Sequence, residues 1–110
     1  MKKINSLKEN RNFLRIIKKV NPFKYKGYVV YYEESEDLFK FGISVSKKLG
    51  NAVVRNKIKR QIREIISKNN YEKNFNCIII VRKSFLENNF NQNSIDLNYI
   101  FKKLKIVKEK

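Results

Sequence analysis

Apolar residues in this chain follow two rhythms. Between Asn10 and Val20, the residues Phe13, Ile16, Ile17 and Val20 recur at i, i+3, i+4 and i+7 with Arg and Lys between them, which is the spacing of an amphipathic helix. Asn21-Pro22 ends it, because proline pushes the residue before it out of helical backbone space. The segment "YVVYY", residues 28–32, is β-branched or aromatic throughout and predicts a strand, with Tyr28, Val30 and Tyr32 on one face and Val29 and Tyr31 on the other. After an acidic turn, "EESED", the segment "FKFGISVS" alternates strictly: Phe39, Phe41, Ile43 and Val45 against Lys40, Gly42, Ser44 and Ser46. The apolar set is a core face. The small polar set is either a solvated surface or the floor of a groove.

Gly50-Asn51 predicts a turn with Asn51 as a helix cap, and a helix follows from Ala52 to about Lys68. At 100° per residue, Val54, Ile58, Ile62 and Ile65 fall within a stripe about 80° wide, the face to be buried. The run "NCIIIV" is apolar on both faces, as a central strand should be. Beyond Arg82-Lys83, an Asn-rich connection leads to a last helix from about Ser94, weakly phased around Ile95, Tyr99 and Phe101, and the terminal "KIVKEK" is expected to fray. Helix, strand, strand, helix, strand, helix is the order of an α+β sheet with helices packed against it, in one domain spanning residues 1–110.

Charge changes this picture from a fold to a function class. The net charge is +16, with 33% of residues charged, so the surplus cations cannot be neutralised within the fold and oppose its compaction. Nucleic acid is the leading partner, because each neutralised phosphate also releases condensed counterions. An anionic membrane surface is the rival, and a ribosomal or other structural RNA-binding protein is a further alternative. No apolar run approaches the length of a membrane span or signal peptide, so a cytoplasmic protein is expected. Cys77, the sole cysteine, lies in a strand-like apolar setting and reads as an inert thiol. With no histidine and with acids scattered or confined to a loop, no general acid/base pair or metal cage can be assembled.

The charge concentrates in "KKLGNAVVRNKIKRQIRE", residues 47–64, which holds seven cations and one carboxylate. Arg55, Lys59 and Arg63 recur at i, i+4 and i+8, with Asn56 and Arg60 beside them. Like-charge pairs at this spacing cost roughly 0.2–0.5 kcal/mol each, and cations in a first turn oppose the helix dipole. Only Glu64 can pair within the helix, with Arg60 or Lys68. A solvated Lys/Arg face is the bland reading, but solubilising faces mix signs. A face this pure, bearing arginines whose planar fork suits phosphate, reads instead as a helix docked against structured RNA or DNA.

These residues also carry a resemblance. "GISVSKKLGNAVVRNKIKRQIRE" resembles the signature segment of the bacterial ribonuclease P protein component, combining S-K-K-x-G-N-A-V with R-N-x-x-K-R-x-x-R after an alternating strand. "SLKENRNF" is similar to that family's first helix, "YVVYY" to its aromatic strand and "CIIIVRKS" to the strand leaving the helix. The resemblance implies an α+β fold with a central, mostly antiparallel sheet of about four strands, three helices and a left-handed βαβ crossover, of the kind called ribosomal protein S5 domain 2-like. A further short strand would lie near Phe23 to Lys26. In that family the RNA subunit is the catalyst, with Mg²⁺ at the RNA and none held firmly by the protein. Contact with this RNA would fall to Lys47, Lys48, Arg55, Asn56, Lys57, Lys59, Arg60 and Arg63. Lys57 departs from the usual R-N-R, keeping the charge but not the fork. A cleft between first helix and sheet would take the single-stranded 5′ leader of precursor tRNA, through Phe13, Ile17 and Tyr31, with Arg82 and Lys83 on leader phosphates. From the helical pattern alone, ordinary core is the favoured reading of Phe13 and Ile17. The implied partners are ribonuclease P RNA and precursor tRNA, with no membrane and no further protein required.

Overall fold

A computed structural model describes residues 11–36, 39–72 and 74–107. In chain order, helix α1 (Arg11–Lys19) is followed by strands β1 (Phe23–Tyr25), β2 (Tyr28–Glu34) and β3 (Lys40–Ser44), helix α2 (Ala52–Ser67), strand β4 (Phe75–Val81) and helix α3 (Phe90–Lys103). Short 3₁₀ turns occupy Lys47–Leu49 and Lys83–Glu87. The expected start of the first helix at Asn10, most of "SLKENRNF", and Asp37, the last residue of "EESED", with Leu38 lie outside the described residues.

The sheet order is β1-β2-β4-β3. β1 and β2 form an antiparallel hairpin closed by Lys26-Gly27, β2 and β4 pair antiparallel, and β3 runs parallel to β4, so that α2 is the crossover of a βαβ unit. β4 is therefore central, in keeping with its apolar faces. The short strand β1 stands where the family resemblance implied one.

Alternation sorts the sheet into two faces. Tyr28 and Val30 of β2, Phe41 of β3, and Cys77, Ile79 and Val81 of β4 belong to the main core, with Ile58, Ile62, Ile65 and Ile66 of α2 and Leu97, Ile100 and Phe101 of α3. Ile78 points the other way, into a smaller cluster with Phe13 and Ile16 of α1, flanked by Ile17, Val20, Tyr31 and Ile80. Burial pushes the Cys77 thiol well above its ordinary range, so it stays protonated.

Two expectations at the C-terminal end need correction. α3 begins at Phe90, four residues before the expected Ser94, because Asn89 caps it by accepting from the Gln92 amide at 2.8 Å. The helix then buries two polar residues, Asn93 and Asp96, on its core side, which hid its phase from a hydrophobic pattern. Asn93 is held there by its side-chain amide donating to the Phe85 carbonyl at 3.0 Å, while its backbone carbonyl accepts from the Tyr28 hydroxyl at 2.9 Å. Nor does the described part of the tail fray. Lys105 takes φ +57°, the Ile106 amide donates to Phe101 and the Lys105 amide to Lys102, which together close α3 in a Schellman turn. Ile106 is thereby buried and Val107 bridges to Tyr71. Residues 108–110 lie outside the described residues.

Candidate nucleic-acid interface

The loop from β3 into α2 sets the direction of the basic segment. Ser46 caps the 3₁₀ turn by accepting from the Lys48 amide at 3.2 Å, and Asn51 caps α2 by accepting from the Val54 amide at 3.0 Å. Gly50 joins them at φ +153°, ψ −177°, a conformation open essentially only to glycine. Its carbonyl accepts from Arg55 Nε at 3.2 Å, so the first arginine of the segment folds back onto this turn. Lys47 and Lys48 are left exposed at the mouth of the helix, whose first turn contains no acid.

Burial on α2 fixes how the remaining cations are spread. The core stripe holds Ile58, Ile62, Ile65 and also Ile66, which the sequence reading did not include, while Val54 is half-buried at its start. With this stripe inward, Arg55, Lys59 and Arg63 run along one shoulder of the helix, and Asn56 and Arg60 lie on its outer crest. Arg55 and Lys59 are half-buried; Asn56, Arg60 and Arg63 are exposed. Lys57 is separated from them. It lies on the opposite shoulder, at a pocket shared with the Lys83–Glu87 turn and the start of α3. Among the described residues, none of the seven cations between Lys47 and Arg63 enters an ion pair; Glu64 pairs instead with Lys68 at 3.6 Å.

On the other side of the sheet, register places three rows across β2, β4 and β3: Tyr31, Ile78, Gly42; Val29, Ile80, Ser44; and Glu33, Asn76, Lys40. α1 lies over β2. It is tied down by Arg15, which grips both Glu33 oxygens at 3.2 and 2.8 Å, while Asn76 donates to one of them at 2.9 Å. The bidentate hydrogen bond from Arg15 holds the Glu33 carboxyl below its ordinary value. Beside α1, Ile17, Tyr31 and Ile80 are half-buried, as are Lys40 and Ser44, whereas Gly42 is buried. The polar face of β3 is thus neither fully solvated nor bare, but borders the α1 cluster.

Of the residues expected to line a cleft here, Ile17 and Tyr31 come together, half-buried, against the Phe13, Ile16 and Ile78 cluster, and Phe13, at 5% exposure, is packed within that cluster. Arg82 and Lys83 are exposed just beyond the Ser44–Ile80 row, and the Arg82 guanidinium reaches the Lys26 carbonyl at 3.4 Å. Sequence reasoning missed Arg15, Glu33 and Ile80. The available signal was strand parity, since Glu33 shares the Tyr31 face and Ile80 the Ile78 face.

A basic α+β protein whose crossover helix carries cations along its outer surface, without ion pairs among the described residues, is of the nucleic-acid-binding class. The comparisons are more specific. The family model described as Ribonuclease P matches residues 1–105. The ribonuclease P protein component of Mesoplasma florum is 43% identical over 102 residues, covering 89% of this chain and 93% of that protein. That of Bacillus pumilus is 38% identical over 109 residues, covering 94% and 90%. Among solved structures, the ribonuclease P protein of Staphylococcus aureus superposes with a TM-score of 0.84 at 38% identity, covering 96% of this chain and all of that one. The Thermotoga maritima protein gives a TM-score of 0.80 at 30% identity, covering 90% and 96%. The chain belongs to the ribonuclease P protein family.

Proposed function

We propose that this chain is the protein subunit of a ribonuclease P, binding a catalytic RNA through α2 and its preceding turn and the 5′ leader of precursor tRNA in the cleft beside α1. The observation that carries this reading is the set of seven cations between Lys47 and Arg63, without ion pairs among the described residues, on a helix fixed by four buried isoleucines. A folded RNA supplies the missing anions. Arg63, exposed at the end of one shoulder, contacts phosphate, and Arg55, steadied by the Gly50 carbonyl, keeps terminal guanidinium nitrogens for a second contact.

In the cleft, Tyr31 supplies the aromatic face and Ile17 and Ile80 supply apolar contact. Stacking tolerates any base, which suits a subunit that accepts many leaders. Arg82 and Lys83 hold leader phosphates. Phe13 supports the cleft from beneath and does not touch the leader.

The chemistry belongs to the RNA, with magnesium ions there. Among the described residues no three His, Cys, Asp or Glu side chains gather in a way that could hold a metal ion. Its contribution is affinity for precursor over mature tRNA and screening of phosphate repulsion, which helps divalent ions bind the RNA. Among the described residues no helix is long and apolar enough to cross a membrane. The working complex is cytoplasmic and requires no further protein.

Cleavage of precursor tRNA by a bacterial ribonuclease P RNA, measured at low Mg²⁺ with and without the protein, tests this. Stimulation is expected, and its absence rejects the proposal. Arg63→Ala should weaken RNA-subunit binding and reduce the slope of log K against log salt by about one unit. An unchanged slope removes Arg63 from the phosphate contacts.

A further inference from the structure

Lys57 stands apart from the other cations of its segment, and the structure shows what it stands beside. A pocket of about 320 Å³ opens between α2 and the start of α3, with Lys57 and Gln61 on one wall and Leu86, Asn88 and Phe90 on the other. Its floor is made by Ile58 and Phe85, both buried. The rim is unusually apolar for such a basic surface, since Phe90 is 36% exposed and Leu86 47%. Lys68 Nζ lies 5.9 Å from the centre of the Phe90 ring. An aromatic face, side-chain amides that both donate and accept, and ammonium groups at the margin are the recognition chemistry of a nucleotide: ring for base, amides for base edge, lysine for phosphate.

We propose that this pocket receives a single unpaired nucleotide of the RNA subunit, its base against Phe90 and its phosphate on Lys57. The inference rests on the RNA-subunit reading above and adds a second kind of contact to it. Continuity decides the occupant. Lys57 is one turn or less from Arg60 and Asn56, so an RNA lying on the crest of α2 passes the mouth of this pocket. The volume suits one nucleotide, at the lower end of the range of small-molecule sites. Lysine in place of the usual second arginine is then no loss, because a point charge with a flexible stem suits a single phosphate beside an inserted base.

The test uses the full chain with a transcribed ribonuclease P RNA. Phe90→Leu keeps an apolar side chain but removes the stacking face; it is expected to weaken RNA-subunit binding roughly tenfold, with the salt slope unchanged. Phe90→Trp should restore wild-type binding, which a packing role for Phe90 would not allow. Lys57→Ala should lower the slope by about one unit. A photo-reactive benzoylphenylalanine placed at position 90 should crosslink to one or a few unpaired nucleotides of that RNA. Crosslinks only to the tRNA leader or to another polypeptide, or Phe90→Leu binding within twofold of wild type, overturn the pocket. Arg63→Ala measured in parallel separates the two readings. If Arg63→Ala weakens binding and Phe90→Leu does not, the pocket alone fails; if neither does, the RNA-subunit reading fails with it.

Discussion

Gly50 couples the fold to the basic surface, and replacing it exposes both. Its backbone lies at φ +153°, ψ −177°, where an L side chain is strained by about 1–3 kcal/mol. A Cβ added there would approach Val54 Cβ and Cγ1 to 2.8 Å, well inside ordinary contact, and overpacking of this kind costs roughly another 1–3 kcal/mol. Gly50→Ala should therefore lower the unfolding free energy by about 2–6 kcal/mol, a large share of the roughly 5–15 kcal/mol typical of a domain. Urea denaturation followed by circular dichroism measures it, as a midpoint lowered by on the order of 1 M with an unchanged m-value. A double-mutant cycle with Val54→Ala divides the two causes. That change removes the Cγ contact but neither the Cβ contact nor the backbone strain, so Gly50→Ala should cost less in that background and still more than about 1 kcal/mol. A loss below about 0.5 kcal/mol in wild type refutes the reasoning. So does complete recovery in the double variant, which would leave nothing for the backbone to explain.

Lys105 holds the left-handed position of the Schellman turn at φ +57°, so Lys105→Gly should raise stability by about 1 kcal/mol in the same assay; a loss would mean that its side chain has a role beyond the turn. Because the folded-state pKa of Glu33 is depressed, the stability from its Arg15 pair is present above its ordinary value of 4.5 and is lost as pH falls through the lower folded value. Wild type and Glu33→Gln should accordingly differ at pH 7 and converge as pH falls from 4.5 through that lower folded value, and a gap independent of pH counts against the pair. Phe13→Ala, at a buried site, should cost about 3–5 kcal/mol in stability. Tyr31→Ala should instead reduce the preference for precursor over mature tRNA in binding titrations; equal losses for both RNAs would place Tyr31 outside the leader cleft.

What could be read from the sequence divides along physical lines. The strand faces and the α2 stripe were legible because nearly every core position there is aliphatic or aromatic, so period 2 and period 3.6 stand out without interference. Asn51 was legible as a cap because a short polar side chain directly before a helical pattern has few other uses. The start of α3 was hidden because its core side carries Asn93 and Asp96, whose burial depends on hydrogen bonds to Phe85, Tyr28 and Gln92 that no local pattern encodes. The ordered tail was hidden for a related reason: a lysine, and not a glycine, occupies the left-handed position at its turn. In the candidate site, charge and register were legible, but the separation of Lys57 from the other cations was not. A helical wheel gives directions around α2 and says nothing of which neighbouring element stands in each.

That separation bears on how so basic a helix persists at all. Four like-charge pairs at i, i+3 or i+4 join Arg55, Lys57, Lys59, Arg60 and Arg63, and at a few tenths of a kcal/mol each they together cost about as much as one buried isoleucine contributes. Ile58, Ile62, Ile65 and Ile66 are all buried against the sheet. The hydrophobic underside therefore outweighs the repulsion severalfold, and α2 does not need RNA in order to form. On the proposed RNA-binding reading the same inequality makes the surface useful: cations carried on a backbone held by a core require no backbone ordering when phosphate arrives, whereas a disordered basic tail would have to be ordered at that moment. Binding then draws on repulsion already present in the free protein, and its strength should fall steeply with salt while the fold itself does not.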